Sequence, residues 1–156
     1  MILGVEVTGI NPTGGSGGIL RKDPAEGVQK VIAVLVSAGV LIDMLQLIVR
    51  QKGGPVALVQ HGGDGGHMTP FVLGDNEYLT GISGKSSMYI NSITFHTNIR
   101  ESKRFGGGSG EREFSINANA NEQIVGLWCR SDRYIDAIGA ITAPIGQYQE
   151  RKENLV

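Results

Sequence analysis

Between Val28 and Val49 the chain is almost wholly apolar, and the run is interrupted once, at Ser37-Ala38-Gly39. Val and Ile dominate it, and β-branched side chains favour a pleated surface. The pattern predicts strand, turn, strand, with the break near Ala38–Val40. A single membrane helix would fit on length, but Asp43 would then lie near mid-span at a cost of about 3 kcal/mol. Gln51-Lys52-Gly53-Gly54-Pro55 reads as a hairpin connection into a strand over Val56–Gln60. Upstream, Leu3, Val5 and Val7 alternate, predicting a short strand within residues 1–13. Arg21 to Gly27 reads as a polar, Pro/Gly-punctuated connection. Downstream, Thr69–Leu73, Tyr78–Ser83, Ser92–Thr97, Phe114–Ile116, Ile124–Arg130 and Ala137–Thr142 are short and alternating or β-rich. Gly74–Glu77 and Asn117–Asn121 carry turn chemistry between them. No stretch has a helical period. The expectation is an all-β domain over residues 1–143, with a polar, aperiodic tail or linker at 144–156.

Two features then recur with one spacing. Turn-like segments end in Asp43, Asn91 and Asp136. Glycine clusters occur at Gly14–Gly18, Gly62–Gly66 and Gly106–Gly110. Both sets repeat at roughly 44–48 residues, the sort of interval that marks repeated structural units. The chain reads as three copies of one β-unit, each bringing a glycine loop and a turn.

Composition narrows the partners. The net charge of −1 gives no electrostatic reason for nucleic acid or an anionic membrane, and 6% aromatic residues leave little for base stacking. With one cysteine, Cys129, no intrachain disulfide can form, and its apolar neighbours suggest a buried, inert thiol. The N-terminal residues lack the basic start and apolar core of a signal peptide. Asn11-Pro12-Thr13 is no sequon, because proline occupies its middle. Localisation is left open. Glycine, at 24 residues, is concentrated in the three loops. There it gives positive φ or close backbone approach.

Several segments resemble the jacalin-related lectins, in family order over roughly residues 11–143. They are His61-Gly62-Gly63-Asp64-Gly65-Gly66, Glu77–Gly84, Ile93–Asn98, Arg104-Phe105-Gly106, and Ile124–Ser131 followed by Arg133–Gly139. The resemblance implies a β-prism I fold, three four-stranded antiparallel sheets about a pseudo-threefold axis. It also implies metal-independent binding of mannose- or glucose-type glycans, with no cofactor. The galactose-binding members carry a free N-terminal glycine, whereas this chain runs on before its first loop.

By that resemblance each sugar would lie between a glycine loop and a Gly-x-x-x-Asp turn. A carboxylate can accept two sugar hydroxyls with charge assistance, and successive amides in a tight turn form a concave donor set. The first site would pair Gly18 with Asp132, Arg133, Tyr134, Ile135 and Asp136. The amides of Arg133 and Tyr134 would donate there, and Asp136 would accept. Asp132 replaces the usual glycine, a substitution expected to survive because Asp tolerates left-handed backbone. The second site would pair Gly66 with Gly39, Val40, Leu41 and Asp43, with His67 at its rim. The third, expected to be weak or dead, would pair Gly110 with Met88, Tyr89 and Asn91. Ser87 replaces the glycine there, Asn91 replaces the carboxylate, and Glu111 falls near the last glycine.

Other chemistries find less support. His61, His67 and His96 lack the spacing of a metal set. No glycine cluster opens a helix after a parallel strand, as a nucleotide loop requires. Ser109, His96 and Asp75 lack a nucleophile elbow, so no enzyme is expected. Trp128, Phe95 and Tyr78 are expected in the core, and Tyr134 at the first site. Useful affinity would need several sites, in a homo-oligomer or along a larger chain. The rival reading is a glycan-targeting domain of a longer toxin or pore-forming protein.

Overall fold

The computed structural model describes residues 7–146. Among them there is no helix, and thirteen strands form three antiparallel sheets. Sheet A has the order β1 (Thr8–Gly14), β13 (Ile135–Pro144), β12 (Glu122–Ser131), β2 (Ile19–Lys22). Sheet B is built on β3 (Lys30–Ala38) and β4 (Ile42–Gln51). It is edged by β7 (His67–Val72) on one side and by β5 (Gly54–Ala57) and β6 (His61–Gly62) on the other. Sheet C has the order β10 (Phe105–Gly106), β9 (Ile90–Thr97), β8 (Leu79–Ser86), β11 (Arg112–Asn117). In sheet B, β5 pairs with Ile48–Gln51 and β6 with Met44–Leu45. They therefore share one edge of β4, and the expected four-strand layout holds with one edge in two pieces.

The apolar run from Val28 breaks where the sequence predicts, and β3 pairs with β4 from Lys30↔Arg50 to Ala38↔Ile42. Each central hairpin carries register shifts at matching points: Val31/Ala33 and Ser37/Ala38, Leu79/Gly81 and Lys85/Ser86, Ile124/Gly126 and Arg130/Ser131. The second shift of each pair comes just before a turn and re-aims it, as bulges do. Inward residues of all three sheets meet in one core, with Val34, Leu45, Ile82, Phe95, Leu127 and Ile138 fully buried.

Several expectations need correction. Ile19–Lys22 is a strand, so Arg21 and Lys22 do not belong to the polar connection expected over Arg21–Gly27. All four of its residues are exposed at a sheet edge, so no alternation marks it. The two-residue strands β6 and β10 are too short to leave a pattern. The strand expected over Val56–Gln60 spans Gly54–Ala57. Trp128 is only half-buried and lies under the Lys22 ammonium, 4.4 Å from the ring centroid. Tyr78 is half-buried too, with Lys30 Nζ 5.8 Å from its ring. Phe95 is in the core as expected. The alternating Leu3–Val5 segment and residues 147–156 of the expected tail lie outside the described residues.

Candidate functional site

The three turns and three glycine loops gather at one end of the molecule and follow one plan. In each turn the first residue donates its N–H to the carbonyl two residues on. These bonds are Gly39→Leu41 at 3.0 Å, Ser87→Tyr89 at 2.9 Å and Asp132→Tyr134 at 3.1 Å. In each loop the second glycine donates to the turn's last residue: Gly15→Asp136 at 2.8 Å, Gly63→Asp43 at 2.9 Å and Gly107→Asn91 at 3.0 Å. Each sheet thus takes its loop from one copy of the sequence repeat and its turn from another. Sheet A joins the first glycine loop to the last turn, closing the ring.

This close docking explains the glycines. Gly14, Gly62 and Gly106 have φ of +129°, +95° and +90°, and a side chain on any of them would collide with the carbonyl of Asp136, Asp43 or Asn91. Neighbouring units also interlock. The Gly62 amide donates to Ser131 Oγ at 3.1 Å, and Gly107 donates to the Val40 carbonyl at 3.2 Å.

At the first candidate site, Asp136 faces Gly17 and Gly18. A Cβ on Gly17 would lie 2.7 Å from Asp136 Oδ2, and one on Gly18 2.7 Å from Oδ1. Asp136 is only 6% exposed, and its Oδ1 is buried with no hydrogen-bond partner. Burial pushes its carboxyl above the usual range. The charge of Asp132 adds to that rise, and Arg130 offsets part of it. A cleft of about 370 Å³ is lined by Gly17, Gly18, Asp132, Arg133, Tyr134 and Asp136, together with Tyr89 from the third turn. Tyr89 and Tyr134 meet edge-on, with ring centroids 5.2 Å apart. Tyr89 was expected only at the third site. Ile135, counted among the first-site residues, withdraws its side chain fully into the core. Asp132 needs no left-handed tolerance: the only described non-glycine residue with positive φ is Asn121, and Gly39 at the matching place also lacks it.

The second candidate site has the same geometry. A Cβ on Gly65 would lie 2.6 Å from Asp43 Oδ2, and one on Gly66 2.7 Å from Oδ1. Asp43 is 7% exposed. Its burial pushes the carboxyl up, and the Gly39 amide pulls it partly back. Val40 stands 81% exposed at the turn's tip, Leu41 is half-buried, and His67 is exposed at the start of β7.

The third differs in its acceptor. Asn91 Oδ1 takes a hydrogen bond from Ser87 Oγ at 2.9 Å. The two replacements thus satisfy each other. Lys85 Cβ crowds Gly110, 2.8 Å from where its Cβ would be. Met88 is 74% exposed. With Tyr89 and Glu111 it lines a second cleft of about 430 Å³, which runs across the first glycine loop to Asp136.

Elsewhere, polar groups serve the frame. Asp23 is buried, accepts from the amides of Val59 at 3.1 Å and Leu127 at 2.8 Å, and lies 3.0 Å from His61 Nε2. It ties sheet A to the approach of the second glycine loop. Its place in a polar stretch hid this role. Cys129 is buried, and its burial raises the thiol's pKa. Among the described residues no group of three or more His, Cys, Asp or Glu is placed to hold a metal, and no helix is long and apolar enough to cross a membrane.

Comparison with known proteins places this architecture. The sequence profile of the Jacalin-like lectin domain matches residues 10–141. Jacalin-related lectin 19 of Arabidopsis thaliana is 33% identical over 141 residues, covering 83% of this chain and 77% of its own. A mannose/glucose-specific lectin of Parkia pendula is 32% identical over 148 residues, covering 86% of this chain but only 32% of that longer protein. A solved mannose-binding jacalin-related lectin from Ananas comosus superposes with a TM-score of 0.78 at 27% identity, covering 88% of this chain and 98% of that one. The fold is the β-prism I of these proteins, and the chain belongs to the jacalin-like lectin family.

Proposed function

We propose that this chain binds mannose- or glucose-type glycans, without a metal, at the first and second sites, and that residues 1–143 act as one lectin domain. The observation that carries the reading is Asp136 Oδ1. A buried acceptor without a partner costs about 1–3 kcal/mol, and here it faces a loop stripped of side chains. Asp136 also lines the first cleft, and a sugar hydroxyl bound there would give its carboxylate a donor. Asp43 with Gly65 and Gly66 repeats the arrangement. Relatives described as mannose-binding or mannose/glucose-specific supply the sugar class.

Such shallow sites bind weakly. A Kd of about 1 mM corresponds to only about −4 kcal/mol. Joining two sites, on one chain or through self-association, raises avidity by roughly 10²–10⁴. The test is retention on immobilised mannose. The double variant Asp43→Ala, Asp136→Ala should elute unretained while its circular dichroism spectrum stays that of the parent. Retention equal to the parent's would refute the assignment.

A further inference from the structure

We propose that Asp132 makes the first site read charge as well as hydroxyls: it favours hexoses carrying a free, protonated amine and disfavours those carrying a carboxylate or sulfate. The inference rests on the proposal that this site binds sugar. It follows from comparing two sites built to one plan.

Asp132 and Gly39 hold the same place, each donating its N–H to the carbonyl two residues on. The first site therefore has a second carboxylate within its turn, and Asp132 and Asp136 line one cleft. The second has Asp43 opposite Gly65 and Gly66, with Gly39 where the turn's extra acid would be; its other carboxylate, Asp64, is exposed in the glycine loop, at the place Ser16 holds in the first.

The charged groups around the first cleft include Glu111 and Arg112, which line the adjoining cleft that shares Gly17, Tyr89 and Asp136 with it. Arg133 lies in the same turn as Asp132 and lines the first cleft itself. Arg130, at the end of β12, has its Nε 3.4 Å from the Ser16 carbonyl and is thereby held toward the glycine loop. Tyr89 and Tyr134 close the remaining wall. At Asp136 the influence of Asp132 outweighs that of Arg130. A hydroxyl group responds weakly to such a field, but an ammonium or a carboxylate on the same ring responds directly. The field is screened by salt, so the preference should be too.

Titration calorimetry on the Asp43→Ala protein, which retains only the first of the two sites, tests this. Glucose and mannose are each compared with their 2-amino and 2-acetamido counterparts at about pH 6, where the amine is charged and the acetamide is not. The amino sugars should bind about three- to tenfold more tightly than the neutral pair at low salt. The advantage should vanish in Asp43→Ala, Asp132→Gly and in roughly 0.5 M salt. Gly39 shows that glycine suits this turn, and Asp132→Asn gives a second, bulkier removal of the charge. Equal binding of charged and neutral sugars would overturn the inference. So would a reversed preference set by Arg133, or an advantage that survives both substitutions. Failure of Asp43→Ala to bind any neutral hexose is a separate result: it sinks the first-site reading and the inference with it.

Discussion

Asp136→Asn should weaken sugar binding without weakening the fold, and both effects can be sized from the structure. The buried Oδ1 has no partner, and burial works against the ionised form. Asparagine keeps the shape and removes the charge. Asn91 shows that an amide fits at the end of such a turn. Charge assistance roughly doubles a hydrogen bond's strength, so its loss should cost about 1.5 kcal/mol, or roughly tenfold in Kd. Asp136→Ala removes both acceptors and should cost about 3 kcal/mol, enough to make a millimolar site undetectable. Stability should move the other way or stay put. Relief of about 1 kcal/mol of buried, unpaired charge would raise Tm by about 3 °C in a chain of this size. The sign of the pH effect follows. A carboxylate whose folded pKa is raised binds its proton more readily in the folded than in the unfolded chain, so the parent gains stability as pH falls through that raised pKa. The variant lacks the group, and its Tm advantage should disappear at low pH. Calorimetric titration with a methyl mannoside in an Asp43→Ala background gives the affinity, and thermal unfolding at several pH values gives the rest. Unchanged affinity with a Tm lowered by more than about 3 °C would show that Asp136 is a structural residue.

Other outcomes can be checked with the same assays. Gly66→Ala should silence the second site alone, because its Cβ would fall 2.7 Å from Asp43 Oδ1 and 2.8 Å from the Ala38 amide at φ +78°; titration should show one fewer binding equivalent. Asn91→Ala should leave stoichiometry and affinity unchanged, since its side-chain oxygen is already taken by Ser87. Glu77→Gln should destabilise the protein by about 1–2 kcal/mol near neutral pH, allowing for screening at the half-exposed Arg100. The Arg100 guanidinium, helped by the Gly74 amide and the Thr97 hydroxyl, lowers the Glu77 pKa from its usual 4.5 to about 2. That contribution is present above pH 4.5 and lost as pH falls toward 2, so the variant's acid denaturation curve should be flatter across that window.

What the sequence disclosed depended on whether a feature repeats or points inward. The Val28–Val49 run could be divided because a small-residue break sits between two β-branched halves. The glycine loops and the turn ends Asp43 and Asp136 stood out because each recurs with the other. Ile19–Lys22 escaped notice because an edge strand exposed along its whole length carries no alternation. Tyr89 was tied to its own turn. Its ring crosses to the first site because neighbouring units interlock, and no pattern along the chain encodes that. The buried bond between Asp23 and His61 was hidden in the same way, by partners far apart in sequence. Asp132 was legible as a departure from pattern. Its acceptability was attributed to tolerance of left-handed backbone, whereas the position never adopts it.

Sheet A is sewn from both ends of the chain, with β1 against β13 and β2 against β12. The Gly17–Gly18 corner must wait for the last strand to arrive. Sugar bound at that corner therefore reports a chain made through its last strand.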